Sequence, residues 1–205
     1  MIVGTKVRLR PPEEGRGDHE LIVAWRREPE IRRSFFGEQE ITLESHLAWY
    51  RRIAADDGQM YLVIEALLDP ESAESLLDPI VIGTVGLSNI DGHNRTAEFG
   101  RFMIGDARFR GAGCGREAAC LVCEHAFGAL HLNRLWAEVI AGNQRALGLY
   151  ESIGFKQEGV LREHVFKGGR HLDVVRVGML AAGFVSRDAK LERSPGLGRH
   201  TPASP

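Results

Sequence analysis

The sequence is short of cysteine, of long apolar runs and of any excess charge of one sign, and each shortage excludes a class of protein. Its three cysteines, Cys114, Cys120 and Cys123, are an odd number crowded into one segment, which is no framework for a disulfide-held secreted fold. No stretch approaches about 18 consecutive apolar residues, and residues 1–10 lack the pattern of a secretory signal. We therefore expect a cytoplasmic protein with reduced thiols and no membrane partner.

The charge balance, the cysteine spacing and the length exclude further classes of protein and indicate a single domain. Its 28 acidic residues against 26 Lys plus Arg give a formal charge of −2, which leaves no dense basic patch for a phosphate backbone, so we expect no nucleic-acid partner. Cys120 and Cys123 form a lone C-x-x-C without a second pair, so we expect no metal site. The 205 residues, 43% of them hydrophobic, suffice for one domain with a full core.

Hydrophobic periodicity predicts an α/β chain. The predicted strands are 7–9, 60–65, 80–88, 96–104, 134–140, 155–160 and 171–179, and the predicted helices are 18–28, 43–54, 113–127 and 144–152. The early strands form a meander with a hairpin turn at Asp91-Gly92, whereas the later alternation of helix and strand implies locally parallel pairing. The acidic stretch 67–79 is predicted to be an exposed loop, and residues 186–205 a disordered tail.

Helix-capping residues precede three of the predicted helices. Asp18, Thr42 and Asn143 each have a short polar side chain that accepts a hydrogen bond from the first helical turn. We therefore expect each of them to cap a helix.

A glycine-rich segment, from Arg110 to Arg116, lies between a predicted strand and a predicted helix and reads Arg-Gly-Ala-Gly-Cys-Gly-Arg. Glycines permit tight turns, and the unpaired N–H groups at a helix start attract anions, so the segment is typical of a cradle for a pyrophosphate. It lacks the Gly-Lys-Ser/Thr ending of a nucleoside-triphosphate loop. It also comes too late in the strand order for a dinucleotide fold. A merely flexible loop remains the alternative.

A second constellation follows the strand 134–140. Asn143 precedes a short helix on which Ala146, Leu149 and Tyr150 share one side, and Gly154-Phe155 comes directly after it. Taken alone, Tyr150 is equally well explained as a core aromatic whose hydroxyl reaches water.

Together these segments resemble the Gcn5-related N-acetyltransferases, the GNAT superfamily. Arg110, Gly113 and Gly115 match its Arg/Gln-x-x-Gly-x-Gly/Ala signature, and Asn143 to Phe155 resembles its second acetyl-coenzyme A segment. The resemblance covers roughly residues 80–179. It implies the GNAT fold, an α/β (α+β) domain over residues 1–185 whose mixed, strongly twisted sheet of six to seven strands is flanked by about four helices.

The resemblance also implies that acetyl-coenzyme A (acetyl-CoA) is the co-substrate. The glycine segment would hold its pyrophosphate, the strand Phe102–Ile104 would pair with its pantetheine arm, and Asn143 would contact that arm. The residues expected to bind the coenzyme are Phe102, Met103, Ile104, Arg110, Gly111, Ala112, Gly113, Cys114, Gly115, Arg116, Asn143 and Ala146.

Two side chains are candidates for proton transfer during direct attack of a primary amine on the thioester. A phenol has a pKa of about 10 and a thiol about 8.5, so Tyr150 is the candidate acid that protonates the leaving thiolate. Glu98, on the central strand, is the candidate base that deprotonates the amine, directly or through water. An ordinary role as a strand-surface carboxylate remains open for Glu98.

The acceptor is predicted from the first half of the chain. Trp25-Arg26, Ile31-Arg32 and His46 resemble the branch that acetylates nucleotide-linked 4-amino sugars, as in pseudaminic acid biosynthesis. Trp25, Arg26, Arg32 and His46 are therefore candidate substrate-binding residues, since arginine binds phosphate and tryptophan stacks on a base. Core packing for Trp25, a solvated face for the arginines and a helix-surface or capping role for His46 are the alternatives.

Other acceptors and functions stay open from the sequence. The second half also resembles the ribosomal-protein alanine acetyltransferases, which implies a protein N-terminus as an alternative acceptor. A polyamine or aminoglycoside would suit the acidic residues Asp69, Glu71, Glu74 and Asp78. A non-catalytic acyl-CoA sensor is the alternative from another class, a DNA-binding regulator has little support, and a homodimer is common among proteins of this kind.

Overall fold

The computed structural model describes residues 1–69, 71 and 75–184. Within these ranges the chain forms eight strands and five α-helices. The strands are β1 Ile2–Val3, β2 Val7–Arg10, β3 Met60–Leu68, β4 Ser75–Asp91, β5 Thr96–Ile104, β6 Arg134–Ile140, β7 Lys156–Lys167 and β8 Arg170–Leu180. The helices are α1 Asp18–Arg27, α2 Pro29–Arg32, α3 Leu43–Ala54, α4 Cys114–Gly128 and α5 Gln144–Ile153.

All eight strands lie in one mixed sheet, in the order β1-β2-β3-β4-β5-β6-β8-β7. Strands β1 to β5 form an antiparallel meander, and β5 and β6 are the parallel pair that α4 connects. The predicted mixed α/β fold is confirmed. The sheet has one strand more than the predicted maximum because the two-residue β1 pairs with β2, and α2 is a single turn between the longer helices.

Helices cover the sheet on both faces, because successive residues of a strand point to opposite sides. On β3, Ile64 joins the larger core with α4 and α5, whereas Val63 joins the smaller core with α1, α2 and α3. No helix in the described part of the chain is long and apolar enough to cross a membrane.

The capping prediction holds for two helices and is wrong for the third. Thr42 caps α3 in a reciprocal pair with Ser45, and Asn143 caps α5 by accepting from the Ala146 N–H at 3.1 Å. At α1 the cap is Gly17, with φ of 80°, and Asp18 is the first helical residue. The Asp18 carboxylate is drawn inward instead, because the Arg10 guanidinium donates to it at 2.6 Å.

The predicted exposed loop 67–79 is wrong at both of its ends. Leu67 and Leu68 continue β3, and residues 75–79 begin β4, so the two strands form a long hairpin that pairs Leu68 with Ser75. Pro79 is tolerated because β5 ends opposite Gly83, which leaves this part of β4 at an edge. Glu74 and the tail 186–205 lie outside the described residues.

Gly105 fixes how α1 packs against the end of β5. A methyl group added there would lie 1.9 Å from the Trp25 ring. We expect Gly105→Ala to lower stability by about 1–3 kcal/mol, because an overpacked site must move the ring or the backbone. Thermal unfolding measures this, with Gly100→Ala as the control, since its added methyl meets no atom within 4 Å. Equal melting temperatures for the two variants would contradict this packing.

Candidate active site

The two middle strands of the sheet separate and open a gap. β5 and β6 pair at three positions only, from Thr96 opposite Arg134 to Glu98 opposite Trp136. Beyond them β5 carries a bulge. Gly86 pairs with Gly100 and Thr84 pairs with Met103, so β4 advances by two residues where β5 advances by three. Arg101, at the bulge, has the left-handed φ of 53°. The bulge increases the twist locally, and β5 turns away from β6.

A cavity of about 1370 Å³ lies at this gap. Its walls come from the end of β5, the glycine segment, the start of α5, the α2 region and the β7–β8 hairpin. The predicted coenzyme residues on these walls are Phe102, Met103, Ile104, Arg110, Gly111, Gly113, Gly115, Arg116, Asn143 and Ala146. One large cleft therefore gathers ten of the twelve residues expected to bind the coenzyme.

Ala112 and Cys114 do not line this cavity. The Ala112 carbonyl accepts a hydrogen bond from Lys6 Nζ at 2.9 Å, and Cys114 is 3% exposed within the larger core. Burial raises the pKa of the Cys114 thiol. Ala112 through its carbonyl and Cys114 through its buried side chain thus hold the segment in place.

The glycine segment forms an open turn before α4. Gly111 and Gly113 have φ of 89° and 86°, a conformation that costs other L-residues about 1–2 kcal/mol. Gly115 lets the first turn of α4 lie against β5, since a methyl group there would come within 3.1 Å of the Phe102 ring. The first-turn N–H groups of α4 have no acceptor within the helix, and together with its dipole they favour an anion.

The Arg110 side chain is bound within the protein. Its guanidinium pairs with Glu30 at 2.9 Å and donates to the carbonyls of Ile104 and Gly105 at 3.0 and 2.9 Å. Arg110 thus ties α2 to the end of β5, and its guanidinium is not turned freely towards an anion. Arg116 and Arg145 remain exposed on the same cavity wall.

Tyr150 lies beside the cavity and not on its wall. It is 6% exposed and packs edge-on against Phe99 and near Phe155, at ring distances of 5.5 and 5.4 Å. Burial raises the pKa of its phenol well above the ordinary value, so the hydroxyl stays protonated at neutral pH. The neighbouring Leu149, one residue earlier, reaches the wall.

Glu98 lies at the last paired position of β5, where the strands begin to separate. Its carboxylate accepts hydrogen bonds from Asn89 Nδ2 at 2.9 Å and Ser88 Oγ at 3.3 Å. The side chain is half-buried. The carboxylate is therefore held in place, at the branch point of the sheet.

The predicted acceptor residues do not meet in the large cavity. Trp25 and His46 are 8% and 2% exposed, with Trp25 in the smaller core. Arg26 and Arg32 line a separate pocket of about 140 Å³. A stripe of apolar positions on α1 explains the burial of Trp25, which the core-packing alternative anticipated.

His46 forms a buried pair with His19. His46 Nε2 and His19 Nδ1 lie 3.2 Å apart, and burial together with the neighbouring His19 and Arg26 lowers the pKa of His46 to about 4. An unfolded histidine titrates near pH 6.5. Between pH 6.5 and about 4 the unfolded chain thus binds more protons than the folded one, and stability falls as the pH falls.

We therefore expect His46 to cost the wild type about 1.5 kcal/mol of unfolding free energy between pH 6.5 and 5, since each pKa unit is worth about 1.4 kcal/mol and an unfolded histidine is already half protonated at pH 6.5. Urea unfolding measures the loss, which should shrink in His46→Leu. His93→Gln, on the exposed β4–β5 turn, is the control. An unchanged pH slope in His46→Leu would contradict the buried pair as its source.

No motif in the sequence indicated which residues close the cavity from above. At the tip of the β7–β8 hairpin, Lys167 Nζ donates to the carbonyls of Arg32 and Phe35, and the Gly168 N–H donates to Glu38 at 2.9 Å. Because these partners are about 130 positions apart, no local pattern could have found them. The hairpin thereby fastens the segment after α2 over the cleft.

Comparison with known proteins agrees with this geometry. Residues 6–156 match the family profile described as an acetyltransferase (GNAT) domain. Among curated relatives, a Vibrio cholerae spermidine N(1)-acetyltransferase is 34% identical over 107 residues, 52% of this chain and 61% of the relative. The Bacillus subtilis protein YdaF, a candidate ribosomal N-acetyltransferase, is 33% identical over 105 residues, 51% of this chain and 56% of the relative. The alignments thus span about three fifths of these relatives' length.

A solved structure matches over a longer range. The crystal structure of a Vibrio cholerae spermidine N-acetyltransferase in complex with CoA and spermine has a TM-score of 0.75 and 27% sequence identity, covering 88% of this chain and 98% of that one. With the family profile matched over most of the sequence, the chain belongs to the GNAT acetyltransferase family.

Proposed function

We propose that this protein is an acetyl-CoA-dependent N-acetyltransferase that transfers the acetyl group to a primary amine by direct attack, through a tetrahedral intermediate. The observation that carries the proposal is the gap between β5 and β6 with the glycine segment at its end. Members of this family use acetyl-CoA, and the matched crystal structure contains CoA. A metal is not required by the proposed chemistry. No group of possible metal-ligating side chains occurs among the residues described.

The start of α4 and the edge of β5 offer hydrogen-bonding groups that suit two parts of acetyl-CoA. The first-turn N–H groups of α4, with Arg116 and Arg145 beside them, provide donors for a pyrophosphate. The unpaired edge of β5 from Phe102 to Ile104 provides backbone groups for the amides of a pantetheine arm, as a neighbouring strand would. Bound acetyl-CoA supplies the activated acetyl group.

Two side chains would move the protons. An alkylammonium with a pKa of about 10 must lose a proton before it attacks, and we assign this to Glu98, directly or through water. We assign protonation of the leaving sulfur to Tyr150, which is protonated at neutral pH and lies on α5 one residue from the cavity wall. Desolvation raises the pKa of a thiol as it raises that of the phenol, so burial does not by itself prevent this transfer.

For the acceptor we propose a small cationic amine of the polyamine class. Carboxylates line the end of the cavity formed by α2 and the β7–β8 hairpin, at Glu30, Glu38, Glu163 and Asp173. Several relatives, including an Escherichia coli protein 28% identical over 83% of this chain, are spermidine N(1)-acetyltransferases. Glu30 is already paired with Arg110, so the other three carboxylates are the partners left for the ammonium groups of a polyamine.

A nucleotide-linked amino sugar is the second candidate acceptor. The same end of the cavity also carries Arg33 and Arg170, which suit phosphate oxygens. An acetyltransferase from Campylobacter jejuni, PseH, is 28% identical over 135 residues, which are 66% of this chain and 74% of PseH. A protein N-terminus is a third candidate, through the likeness to YdaF. A cytoplasmic location and a homodimer belong to the proposal as well.

Thiol release from acetyl-CoA tests the proposal, with spermidine, a peptide with a free N-terminus and a nucleotide-linked amino sugar as acceptors. We expect the highest kcat/KM with spermidine. Glu163→Gln should raise KM for spermidine about two- to fivefold, because an exposed ion pair contributes about 0.2–1 kcal/mol. Glu44→Gln, on the exposed face of α3, is the matched control.

Two results would contradict the proposal at different levels. Turnover of the amino sugar alone would replace the polyamine class with the second candidate. Binding of acetyl-CoA by calorimetry without turnover of any amine would favour the non-catalytic sensor.

A further inference from the structure

Three arginines surround a small pocket that the proposed reaction does not use. Arg26 and Arg27 end α1, Arg32 ends α2, and together with Gln39, Glu40 and Ile41 they line about 140 Å³. A water molecule occupies about 30 Å³ in the liquid, so the pocket has room for a phosphate group.

The arginines are held in position by contacts that leave donors unused. Arg27 Nε donates to the Ile41 carbonyl at 2.9 Å, and Arg32 donates to the Glu38 carbonyl. The Arg26 guanidinium lies 4.3 Å above the ring of Phe35. Each guanidinium has five N–H donors, so most of them remain available.

These arginines also lack the partners that other arginines of this chain have. Arg10, Arg110 and Arg176 form ion pairs with carboxylates, whereas Arg26, Arg27 and Arg32 form none with any residue in the described ranges. Glu40 is the one acidic residue on the pocket wall and is exposed. The half-buried Arg26 has no hydrogen-bond acceptor within the described chain, and burial lowers its pKa. Three adjacent cations that form no ion pair, with one acidic residue beside them, leave a net positive charge that attracts an anion.

We propose that Arg26, Arg27 and Arg32 form a binding site for a phosphate group, separate from the coenzyme cradle. Guanidinium groups bind phosphate oxygens through paired, charge-assisted hydrogen bonds. The site and the large cavity lie on opposite sides of the segment after α2, since Phe35 in that segment contacts Arg26 and also lines the large cavity. The phosphate is either a free anion or part of a larger molecule, and its binding does not depend on the acetyl transfer.

Calorimetry with inorganic pyrophosphate tests the site on the full chain saturated with CoA, so that the glycine segment is already filled. We expect binding that weakens with salt, and that weakens about tenfold or more in Arg26→Gln and in Arg27→Gln. Arg27 is exposed, so its variant keeps the test valid if Arg26→Gln misfolds. Arg52→Gln, an exposed arginine at the end of α3, should bind as the wild type does.

Two outcomes would overturn the site: no binding by the CoA-saturated wild type, or equal binding by Arg27→Gln. A second experiment separates the two sources of phosphate. If pyrophosphate competes with a nucleotide-linked amino sugar, the site takes the phosphate of that molecule. If both bind together, it takes a free anion. Failure of acetyl transfer with every amine would leave the calorimetric result standing, so the two proposals fail independently.

Discussion

Gly113→Asp is expected to weaken CoA binding about 10- to 100-fold. Gly113 has φ of 86°, which an aspartate adopts only at a cost, and its new carboxylate would stand at the start of α4 where the pyrophosphate oxygens are expected. Hydrogen bonds to a charged group contribute about 1.5–3 kcal/mol each, so loss of one accounts for such a change. Isothermal calorimetry with CoA measures it.

A graded series separates strain from charge. Gly113→Ala adds a methyl group that meets only the flexible end of Lys6, at 3.3 Å, so it should show the backbone strain with little repulsion. Gly128→Asp places the same charge at the opposite end of α4, where an added Cβ meets no atom within 4 Å. We expect CoA affinity within about twofold of the wild type there. Wild-type affinity in Gly113→Asp would show that the pyrophosphate lies elsewhere.

Tyr150→Phe is expected to lower kcat about 100-fold and to leave KM for acetyl-CoA nearly unchanged. General acid catalysis contributes about 10²–10⁴-fold, and the substitution removes only the hydroxyl from a ring that packs on Phe99 and Phe155. Steady-state kinetics at saturating amine gives the split between kcat and KM. An unchanged kcat would remove Tyr150 from the mechanism.

The pH profile distinguishes an acid from a packing residue. If Tyr150 donates the proton, the wild-type kcat should hold to alkaline pH, since burial keeps its pKa above the ordinary value. A merely structural role would lower the melting temperature in Tyr150→Phe and leave the pH profile unchanged. Tyr50→Phe is the matched control, because its hydroxyl donates to the Pro12 carbonyl at 2.9 Å, outside the cleft.

Local patterns were sufficient to predict most of the fold. The alternation of apolar residues predicted β5 and β6 with the bounds that the structure has, and Thr42 and Asn143 begin their helices as expected. The prediction that Asp18 caps α1 was wrong because another residue, Arg10, determines where its carboxylate lies. The prediction of a loop over 67–79 was wrong at its ends because acidic residues and proline are typical of loops, whereas pairing between β3 and β4 extends both strands into this stretch.

The candidate site was predictable only as far as its residues are sequence neighbours. The glycine segment and the start of α5 carry short motifs, and both reach the cavity wall. The end of the cavity proposed for the acceptor is built from the α2 region and the β7–β8 hairpin, which meet only in the folded chain through Lys167 and Glu38. Hydrogen bonds between a side chain and a distant backbone group leave no local signature. The aromatic residue Trp25, which suggested an acceptor site, serves packing instead.

The short ladder between β5 and β6 has a consequence for the molecule as a whole. With pairing at only three positions, the antiparallel meander and the β6–β8–β7 unit share a short backbone ladder that ends at Glu98. An extended molecule whose amides fill the gap would supply the cross-links that the sheet lacks there. Bound acetyl-CoA would then act as a temporary ninth strand, and the sheet would be most rigid while the coenzyme is bound.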